Sequence, residues 1–161
     1  MVDTREQLPW SFDNISSCKW CKDCEIINSK LDTGDYSLEG YEDIITIERK
    51  KSVSEIAGNI TEKRFWREME RMKEIRHSFL FLEFSYEDIA NYPENMKVGK
   101  KIKSKIRVRG PFIMRELSRI QVEFGVHVVM CGHKYYAEQA AVAIFKRVLE
   151  EYNYECKNTG K

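Results

Sequence analysis

Three stretches of the sequence carry apolar residues at the three- to four-residue spacing of an amphipathic helix. Phe65, Met69 and Met72 show this spacing in the first stretch. The second starts at Pro111 and ends before Gly125, the residue types that favour the first position and the C-terminal cap of a helix. The third stretch is the amphipathic end of the chain. The pattern predicts helices over residues 62–76, 111–124 and 134–152.

Between these helices lie runs rich in β-branched and aromatic residues, the composition that is typical of strands. They are YEDIITIERK over 41–50, SFLFLEF over 78–84 and VHVVMCG over 126–132, and shorter extended pieces are expected between 25 and 38. Strands and helices first segregate and then alternate along the chain. This order predicts an α/β fold with a mixed central sheet that is flanked by helices on both faces.

Composition narrows the class of protein without naming a partner. The chain has 161 residues, 42% of them apolar and 33% charged, as in an ordinary globular domain. We predict one domain over residues 1–152, followed by a polar tail over 153–161. The net charge of +1 gives no global attraction to nucleic acid, so any such affinity requires a local cluster of charge.

Several classes of protein are disfavoured by what the sequence lacks. It has no apolar run of membrane-spanning length, no secretory signal and no glycine-rich loop that would bind a nucleotide cofactor. Its five cysteines do not form the pattern of a disulfide framework, which favours a reducing compartment. We therefore expect a cytoplasmic protein of a bacterial or phage-infected cell, without membrane contact.

The strand that ends at Lys50 carries charges that a purely structural strand does not need. Because side chains alternate between faces, Glu48 and Lys50 point to one face and Arg49 to the other. A glycine permits a sharp turn before Asp35, which then approaches Glu48 if the two extended pieces pair. Mg²⁺ prefers a few carboxylates together with water and phosphate oxygens. This set suits metal-assisted phosphodiester hydrolysis, while the alternative is a solvated strand face.

Together with other short motifs, this strand resembles the nuclease domain of the XPF family, which includes XPF, archaeal Hef and short phage and bacterial proteins. The family's motifs are D-x-R-E, G-D-Y, E-R-K followed by an acidic residue, and a basic residue beyond it. Their counterparts here are, in order, Asp3-Thr4-Arg5-Glu6, Gly34-Asp35-Tyr36, Glu48-Arg49-Lys50, Glu55 and Arg64. The motifs keep the family's order, and the resemblance covers residues 2–150. It implies a restriction-endonuclease-like fold, dependence on Mg²⁺ or Mn²⁺, and cleavage of branched DNA.

The resemblance also implies a role for each matched residue. Asp35 and Glu48 would hold the metal, with the carbonyl of Arg49 as a further ligand, and Lys50 would orient the attacking water or stabilise the developing charge. The remaining catalytic candidates would surround this centre and contact its waters or a phosphate; they are Asp3, Arg5, Glu6 and Arg64. A turn is the alternative for Asp3, and ion pairs within the fold are the alternative for the two arginines.

The sequence departs from the family's pattern in two respects. The segment after Lys50 has one residue more than the family's, and its acidic residue is Glu55 where the family has Asp. The same insertion brings Arg64 into register with the family's basic residue. The helix-hairpin-helix and helicase domains of larger family members have no counterpart in this chain. DNA must therefore be held by another part of the sequence.

A basic segment over residues 97–109 is the candidate for that contact. Its seven basic residues alternate with apolar ones and no acidic residue interrupts them; they are Lys97, Lys100, Lys101, Lys103, Lys105, Arg107 and Arg109. Seven phosphate contacts would give strong, salt-sensitive and sequence-independent binding. A solvated or disordered charged loop is the alternative interpretation.

Three cysteines at two-residue intervals form a possible structural zinc site. Cys18, Cys21 and Cys24 have the C-x2-C spacing that suits thiolate ligands, but the sequence gives no second pair. The alternative is a loop of free cysteines in a reducing cell.

Taken together, the motifs favour a metal-dependent DNA endonuclease selective for flaps, forks or junctions, an activity used in DNA repair and recombination. The alternative is a non-catalytic DNA-binding or scaffold subunit, against which the intact set of Asp35, Glu48 and Lys50 argues. A sequence-specific restriction-type nuclease is disfavoured because there is no target-recognition domain. A homodimer is possible through the last helix, where the apolar candidates are Tyr135, Tyr136, Ile144, Phe145 and Val148.

Overall fold

The computed structural model describes residues 1–12 and 25–159, and for 155–159 only the backbone. The strands in these ranges are β1 (Val2–Asp3), β2 (Asn28–Ser29), β3 (Ile45–Lys50), β4 (His77–Leu82) and β5 (His127–Met130). The helices are α1 (Val53–Asn59), α2 (Lys63–Lys73), α3 (Tyr86–Ala90), α4 (Lys100–Lys103), α5 (Gly110–Phe124) and α6 (Lys134–Thr159).

One mixed sheet runs through the domain, as the order of elements predicts. Strands β3, β4 and β5 are neighbours in parallel, and β1 pairs with β2 in parallel. Tyr36 joins the two sets because it bridges Val2 on one side and Ile47 on the other, both antiparallel. The pairing of the two extended pieces around Asp35 and β3 is therefore confirmed.

The two faces of the sheet bury separate hydrophobic clusters, because alternate residues of each strand point to opposite sides. Leu80 and Leu82 of β4 pack against α1, α2 and α5. Phe81, the residue between them, packs with Ile45 and Ile47 against α6. The sheet is thus covered by helices on both sides, which is the predicted α/β arrangement.

Two helices begin or end at residues that commonly cap helices. The hydroxyl of Ser52 accepts the amide N–H of Glu55 at 3.2 Å and caps α1 directly after the charged end of β3. Gly125 ends α5 in a left-handed conformation, with φ of 68°.

The last helix is longer than the sequence predicts. The sequence predicts its end at residue 152, but α6 continues to Thr159, so residues 153–159 of the predicted tail are helical. Among the described residues, no helix is both long and apolar enough to cross a membrane.

Candidate active site

The charged end of β3 has the alternation that the sequence predicts. Lys50 and Glu48 share one face, where the Lys50 ammonium Nζ lies 2.5 Å from Glu48 Oε1 and 5.9 Å from the ring centre of Phe65 in α2. Arg49 points to the other face, towards Glu83. Glu48 and Lys50 are largely buried, with 13% and 8% of their side chains exposed, so their charges interact in a poorly hydrated environment.

Asp35 reaches this strand through the turn at Gly34. Its carboxylate Oδ2 accepts the backbone N–H of Arg49 at 2.8 Å. The backbone of Ile47 both donates to and accepts from the backbone of Tyr36. Because backbone groups alternate along a strand, Arg49, two residues after Ile47, directs its N–H and carbonyl to the same side of β3. By this alternation the carbonyl of Arg49 points to the side of β3 on which Asp35 lies. Two carboxylates and one carbonyl therefore lie around the end of β3.

Burial and like charge both act on the Asp35 carboxyl group. Burial, followed by the neighbouring Glu48, raises the pKa of Asp35 to about 8, and the Arg49 N–H and Lys50 ammonium oppose that rise. Burial also raises the pKa of Glu48, against the Lys50 ammonium. A buried acid pair of this kind favours a bound proton or a bound cation between the two groups.

We expect the metal-free protein to lose stability as pH rises, because of Asp35. In the unfolded chain an Asp ionises near a pKa of about 3.9, whereas the folded carboxyl holds its proton up to a pKa of about 8. Its contribution is thus fully present below about pH 4 and is lost as pH rises through about 8, by at most about 1.4 kcal/mol per pH unit. Urea unfolding in EDTA at pH 5.5 and 8 should show a smaller pH dependence for Asp35→Asn, and an unchanged one for the exposed control Asp32→Asn. Equal pH slopes for wild type and Asp35→Asn would contradict the assignment.

Gly34 cannot be replaced without moving the strand beside it. Its φ of +74° is unfavourable for other residues, and an added Cβ would lie 2.1 Å from Thr46 Oγ1 and 3.0 Å from the carbonyl oxygen of Ile47. We expect Gly34→Ala to lower the free energy of unfolding by about 2–4 kcal/mol in urea denaturation. Gly40→Ala is the matched control, since its φ is +77° but nothing lies within 4 Å of the added Cβ; it should lose only about 1–2 kcal/mol. Equal losses would mean that the contact with Thr46 is unimportant.

The N-terminal motif lies beside the site, but its residues are engaged with one another. Asp3 accepts the backbone N–H and the guanidinium of Arg5 and also the N–H of Leu31, so its carboxylate anchors a loop. The Arg5 side chain is 65% exposed, and the charges of Asp35 and Glu68 act on it. Asp3 therefore stabilises a turn and Arg5 forms an ion pair within the fold, which were the alternatives to roles in catalysis.

Glu6 and the residues after β3 extend the charge network. Glu6 is 7% exposed; its Oε1 accepts Lys51 Nζ at 2.5 Å and lies 3.7 Å from Arg49 Nη1. Glu55 accepts the backbone N–H of Lys51 at 2.8 Å, and its carboxylate is 3.8 Å from the Lys50 ammonium. The acidic residue after E-R-K is thus placed near the site despite the extra residue before it.

Arg64 is not gathered into this centre. Its side chain is 81% exposed on the first turn of α2, and its ion pair is with Glu62 at 3.9 Å. The alternative of an ion pair within the fold is what the described contacts show. A contact between Arg64 and a phosphate stays a prediction.

Glu68 is a site residue that the sequence did not single out. Its Oε1 accepts the backbone N–H of Gly34 at 2.9 Å, which fixes the turn that presents Asp35. Its charge also acts on Glu48 and on Arg5. In the sequence Glu68 is an ordinary polar position of an amphipathic helix, so only the packing of α2 against the turn reveals it.

A buried network supports β3 from the opposite face. The Arg49 guanidinium donates to both oxygens of Glu83, at 2.8 and 3.0 Å, and to the carbonyl of Leu8 at 2.6 Å. The indole N–H of Trp10 donates to Glu83 at 2.7 Å, and the Trp10 ring stacks on Tyr36 at 4.1 Å. Arg49, which lies between Glu48 and Lys50, is therefore held in place by contacts on the opposite face of the sheet.

The basic segment lies on the surface, and it begins close to the site. Six of its seven basic residues are exposed, while Ile106 and Val108 pack against the core and hold it to the domain. Met96, the residue before it, has its sulfur 4.0 Å from the hydroxyl of Ser54, whose neighbour Glu55 contacts Lys50. Lys103 and Arg109 bind Glu94 through its carbonyl and its carboxylate.

Two further predictions have different outcomes. The possible zinc ligands Cys18, Cys21 and Cys24 lie outside the described residues. Of the apolar residues considered for a dimer surface, Phe145 and Val148 are buried in the core of the domain, whereas Tyr135 and Tyr136 are exposed. A homodimer stays a prediction.

The mixed sheet with helices on both faces, and with paired acidic residues and a lysine at the end of β3, defines a restriction-endonuclease-like domain. Two solved structures share the fold. XPF from Aeropyrum pernix matches with a TM-score of 0.63 and 16% identity, over 95% of this chain and 68% of that chain. XPF from Aeropyrum pernix in complex with DNA matches with a TM-score of 0.63 and 18% identity, over 93% of this chain and 64% of that chain. No curated protein matches the sequence.

The family is shown by sequence as well. The family model described as the ERCC4 domain matches residues 2–138, which include every motif named above. The chain therefore belongs to the ERCC4 family of XPF-type nuclease domains. The family assignment and the fold predicted from the motifs are both confirmed.

Proposed function

We propose that the chain is a divalent-metal-dependent DNA endonuclease that hydrolyses phosphodiester bonds in branched DNA, such as flaps, forks or junctions. The observation that carries the proposal is the meeting of Asp35 and Glu48 beside Lys50 at the end of a buried strand. Burying two acidic groups together is unfavourable for folding unless a proton or a cation offsets their repulsion, and the Mg²⁺ or Mn²⁺ that we propose is such a cation. Membership of the ERCC4 family supports the same conclusion.

The residues at this site fit Mg²⁺ or Mn²⁺. Asp35 and Glu48 offer hard carboxylate oxygens, and the Arg49 carbonyl, on the same side of β3 as Asp35, is the further ligand that we propose. Within the described residues no group of three or more His, Cys, Asp and Glu side chains forms a metal cluster. Two carboxylates are sufficient for Mg²⁺, which keeps several waters and takes substrate phosphate oxygens as further ligands.

The side chains around these acids have roles that follow from their charge and position. A metal ion bound by Asp35 and Glu48 would polarise the scissile phosphate and lower the pKa of an attacking water. The Lys50 ammonium, which is held at 2.5 Å by Glu48, is placed to orient that water or to stabilise the added negative charge. Arg5 is largely exposed beside Asp35 and can donate to a neighbouring phosphate.

The surface next to the site suits a polyanion. The basic segment starts beside Ser54 and Glu55, so a DNA backbone that lies across Lys50 can continue onto it. Lys and Arg contacts of this kind bind phosphates without regard to sequence. This is consistent with a substrate that is recognised by its shape.

We expect the salt dependence of DNA binding to report on this segment. Replacing Lys97, Lys100, Lys101 and Lys105 with Ala should lower the slope of log K against log salt by about 3–4 for duplex DNA, because each lost phosphate contact removes about 0.9. Fluorescence anisotropy over a salt series measures the slope. The control is Lys146→Ala, an exposed lysine in α6 that should leave the slope unchanged. An unchanged slope in the fourfold variant would remove the segment from the DNA interface.

The proposal is tested by cleavage of labelled flap, fork, junction and plain duplex DNA with Mg²⁺ or Mn²⁺, and with EDTA as the control. Metal-dependent cuts near the branch are the expected result. Binding of all four substrates without any cleavage would instead support a scaffold subunit, with the basic segment as its functional part.

A further inference from the structure

Two aromatic side chains at the start of α6 have no role in the core. The residues of α6 that face the sheet are Ala137, Ala141, Phe145 and Val148, which recur at helical spacing. Tyr135 and Tyr136 lie off this stripe and are 42% and 61% exposed. Their rings contact each other edge to face, with centroids 5.4 Å apart, and the exposed His133 is 6.5 Å from Tyr136.

Leu8 belongs to the N-terminal segment that contacts this end of α6. It is 68% exposed, and the carbonyl of the next residue, Pro9, accepts Lys134 Nζ at 3.1 Å. Single exposed apolar residues are normal, but two exposed rings that contact each other form a larger surface of the kind that binding sites use. We call the group of His133, Tyr135 and Tyr136 the aromatic patch.

The patch follows the C-terminal end of β5, and the candidate active site lies at the C-terminal end of β3. Lys50, Leu82 and Met130 are in register across β3, β4 and β5, so the three parallel strands end at one level. Two strand spacings of about 4.8 Å separate β3 from β5. Glu48 and Lys50 lie on the face covered by α1 and α2, and the patch lies at the start of α6 on the other face, so both lie at the end of the sheet that a DNA strand can cross.

The charges near the patch suit a polyanion. Lys134 and Lys51 are 41% and 32% exposed, so both ammonium groups reach solvent. The neighbouring acids are instead buried in ion pairs: Glu138 is 3% exposed and pairs with Lys134, and Glu6 is 7% exposed and pairs with Lys51. Both lysines consequently present positive charge to solvent, while their acidic partners do not.

Aromatic rings next to basic groups are what unpaired nucleotides require. The faces of bases in a duplex are covered by their neighbours, whereas unpaired bases can stack on exposed rings, and this contributes a factor of roughly 5 to 150 in affinity per base. We propose that the aromatic patch binds the unpaired strand of a branched DNA substrate, by base stacking on Tyr135 and Tyr136. The inference rests on the proposed nuclease function, which it deepens by naming the part of the substrate that is held there.

The test measures binding separately from cleavage. In the Asp35→Asn background, Tyr135→Ala/Tyr136→Ala is compared with Tyr135→Phe/Tyr136→Phe, which keeps the rings, and with Tyr154→Ala. Tyr154 is 72% exposed on the same helix and lies about 27 Å from Tyr136 along its axis, so it is the matched control. Anisotropy of labelled oligodeoxythymidine and of a blunt duplex gives the dissociation constants, and circular dichroism checks folding.

We expect the double Ala variant to bind the single strand at least about tenfold more weakly, with less than about a twofold change for the duplex. The Phe variant and Tyr154→Ala should bind both ligands like the Asp35→Asn parent. An unchanged single-strand affinity, or equal losses for single strand and duplex, would overturn the inference. So would a wild-type homodimer in analytical ultracentrifugation that the double Ala variant alone abolishes, since the patch would then contact a second copy of the chain.

Failure of this inference is distinguishable from failure of the proposed function. A wild-type chain that cleaves branched DNA with Mg²⁺ while the double Ala variant keeps its single-strand affinity loses only the patch. A wild-type chain that cleaves nothing loses the nuclease proposal, whatever the patch binds.

Discussion

Cleavage of flap DNA in Mg²⁺ should fall by at least about a thousandfold in Glu48→Gln. The substitution keeps the size of the side chain and an oxygen that can accept the Lys50 ammonium, now at 2.5 Å from Glu48. It removes one of the two charged oxygen donors that we assign to the metal. Metal ions contribute several kcal/mol of transition-state stabilisation, and about 4 kcal/mol corresponds to a factor of about a thousand. Single-turnover cleavage with saturating enzyme measures this loss without interference from substrate binding.

The matched control is Glu39→Gln, the same substitution at an exposed residue before Gly40. It should cleave at the wild-type rate. DNA binding by Glu48→Gln in EDTA should equal that of the wild type, which separates a catalytic loss from a loss of affinity. Mg²⁺ should also raise the Tm of the wild type more than that of Glu48→Gln, because a ligand that binds the native state stabilises it. A Glu48→Gln variant that cleaves within about tenfold of the wild type would remove Glu48 from the metal site.

Replacing Glu83 with Ala should lower the free energy of unfolding by about 3–5 kcal/mol. The Arg49 and Glu83 side chains are 2% and 7% exposed, and Glu83 accepts two guanidinium hydrogen bonds and the Trp10 indole N–H. Loss of this partner leaves a buried guanidinium without its main counter-charge, which is among the largest effects of a single substitution. For a chain of this length the corresponding fall in Tm is about 6–20 °C. Urea unfolding and thermal denaturation measure the two quantities.

An exposed ion pair provides the comparison for Glu83. Glu150 and Arg147 are 3.4 Å apart with 51% and 81% of their side chains exposed, so Glu150→Ala should change stability by less than about 1 kcal/mol. Because Arg49 lies between Glu48 and Lys50, Glu83→Ala should also slow cleavage at temperatures where the variant is folded, by up to about a hundredfold. Losses of stability that are equal at Glu83 and Glu150 would show that the buried pair has no special importance.

Local rules explain why much of the domain could be read from its residues. β-branched and aromatic runs marked β3, β4 and β5, and Pro111 and Gly125 marked the ends of α5, because these residues restrict the backbone in short range. Strand alternation alone put Glu48 and Lys50 on one face and Arg49 on the other. The motif order around these residues also indicated the family that the comparison with the ERCC4 domain confirms.

The sequence by itself therefore determined the main strands and helices, the fold class and the shared face of Glu48 and Lys50, because these depend on local spacing and on the order of elements along the chain. Only the tertiary structure decided which partners these groups have. Glu68 of α2 accepts the N–H of Gly34, and Glu83 binds both Arg49 and Trp10 on the opposite face of the sheet. Such contacts join residues far apart in the chain. They depend on how helices pack on the sheet, so the local spacing of apolar and polar residues does not predict them.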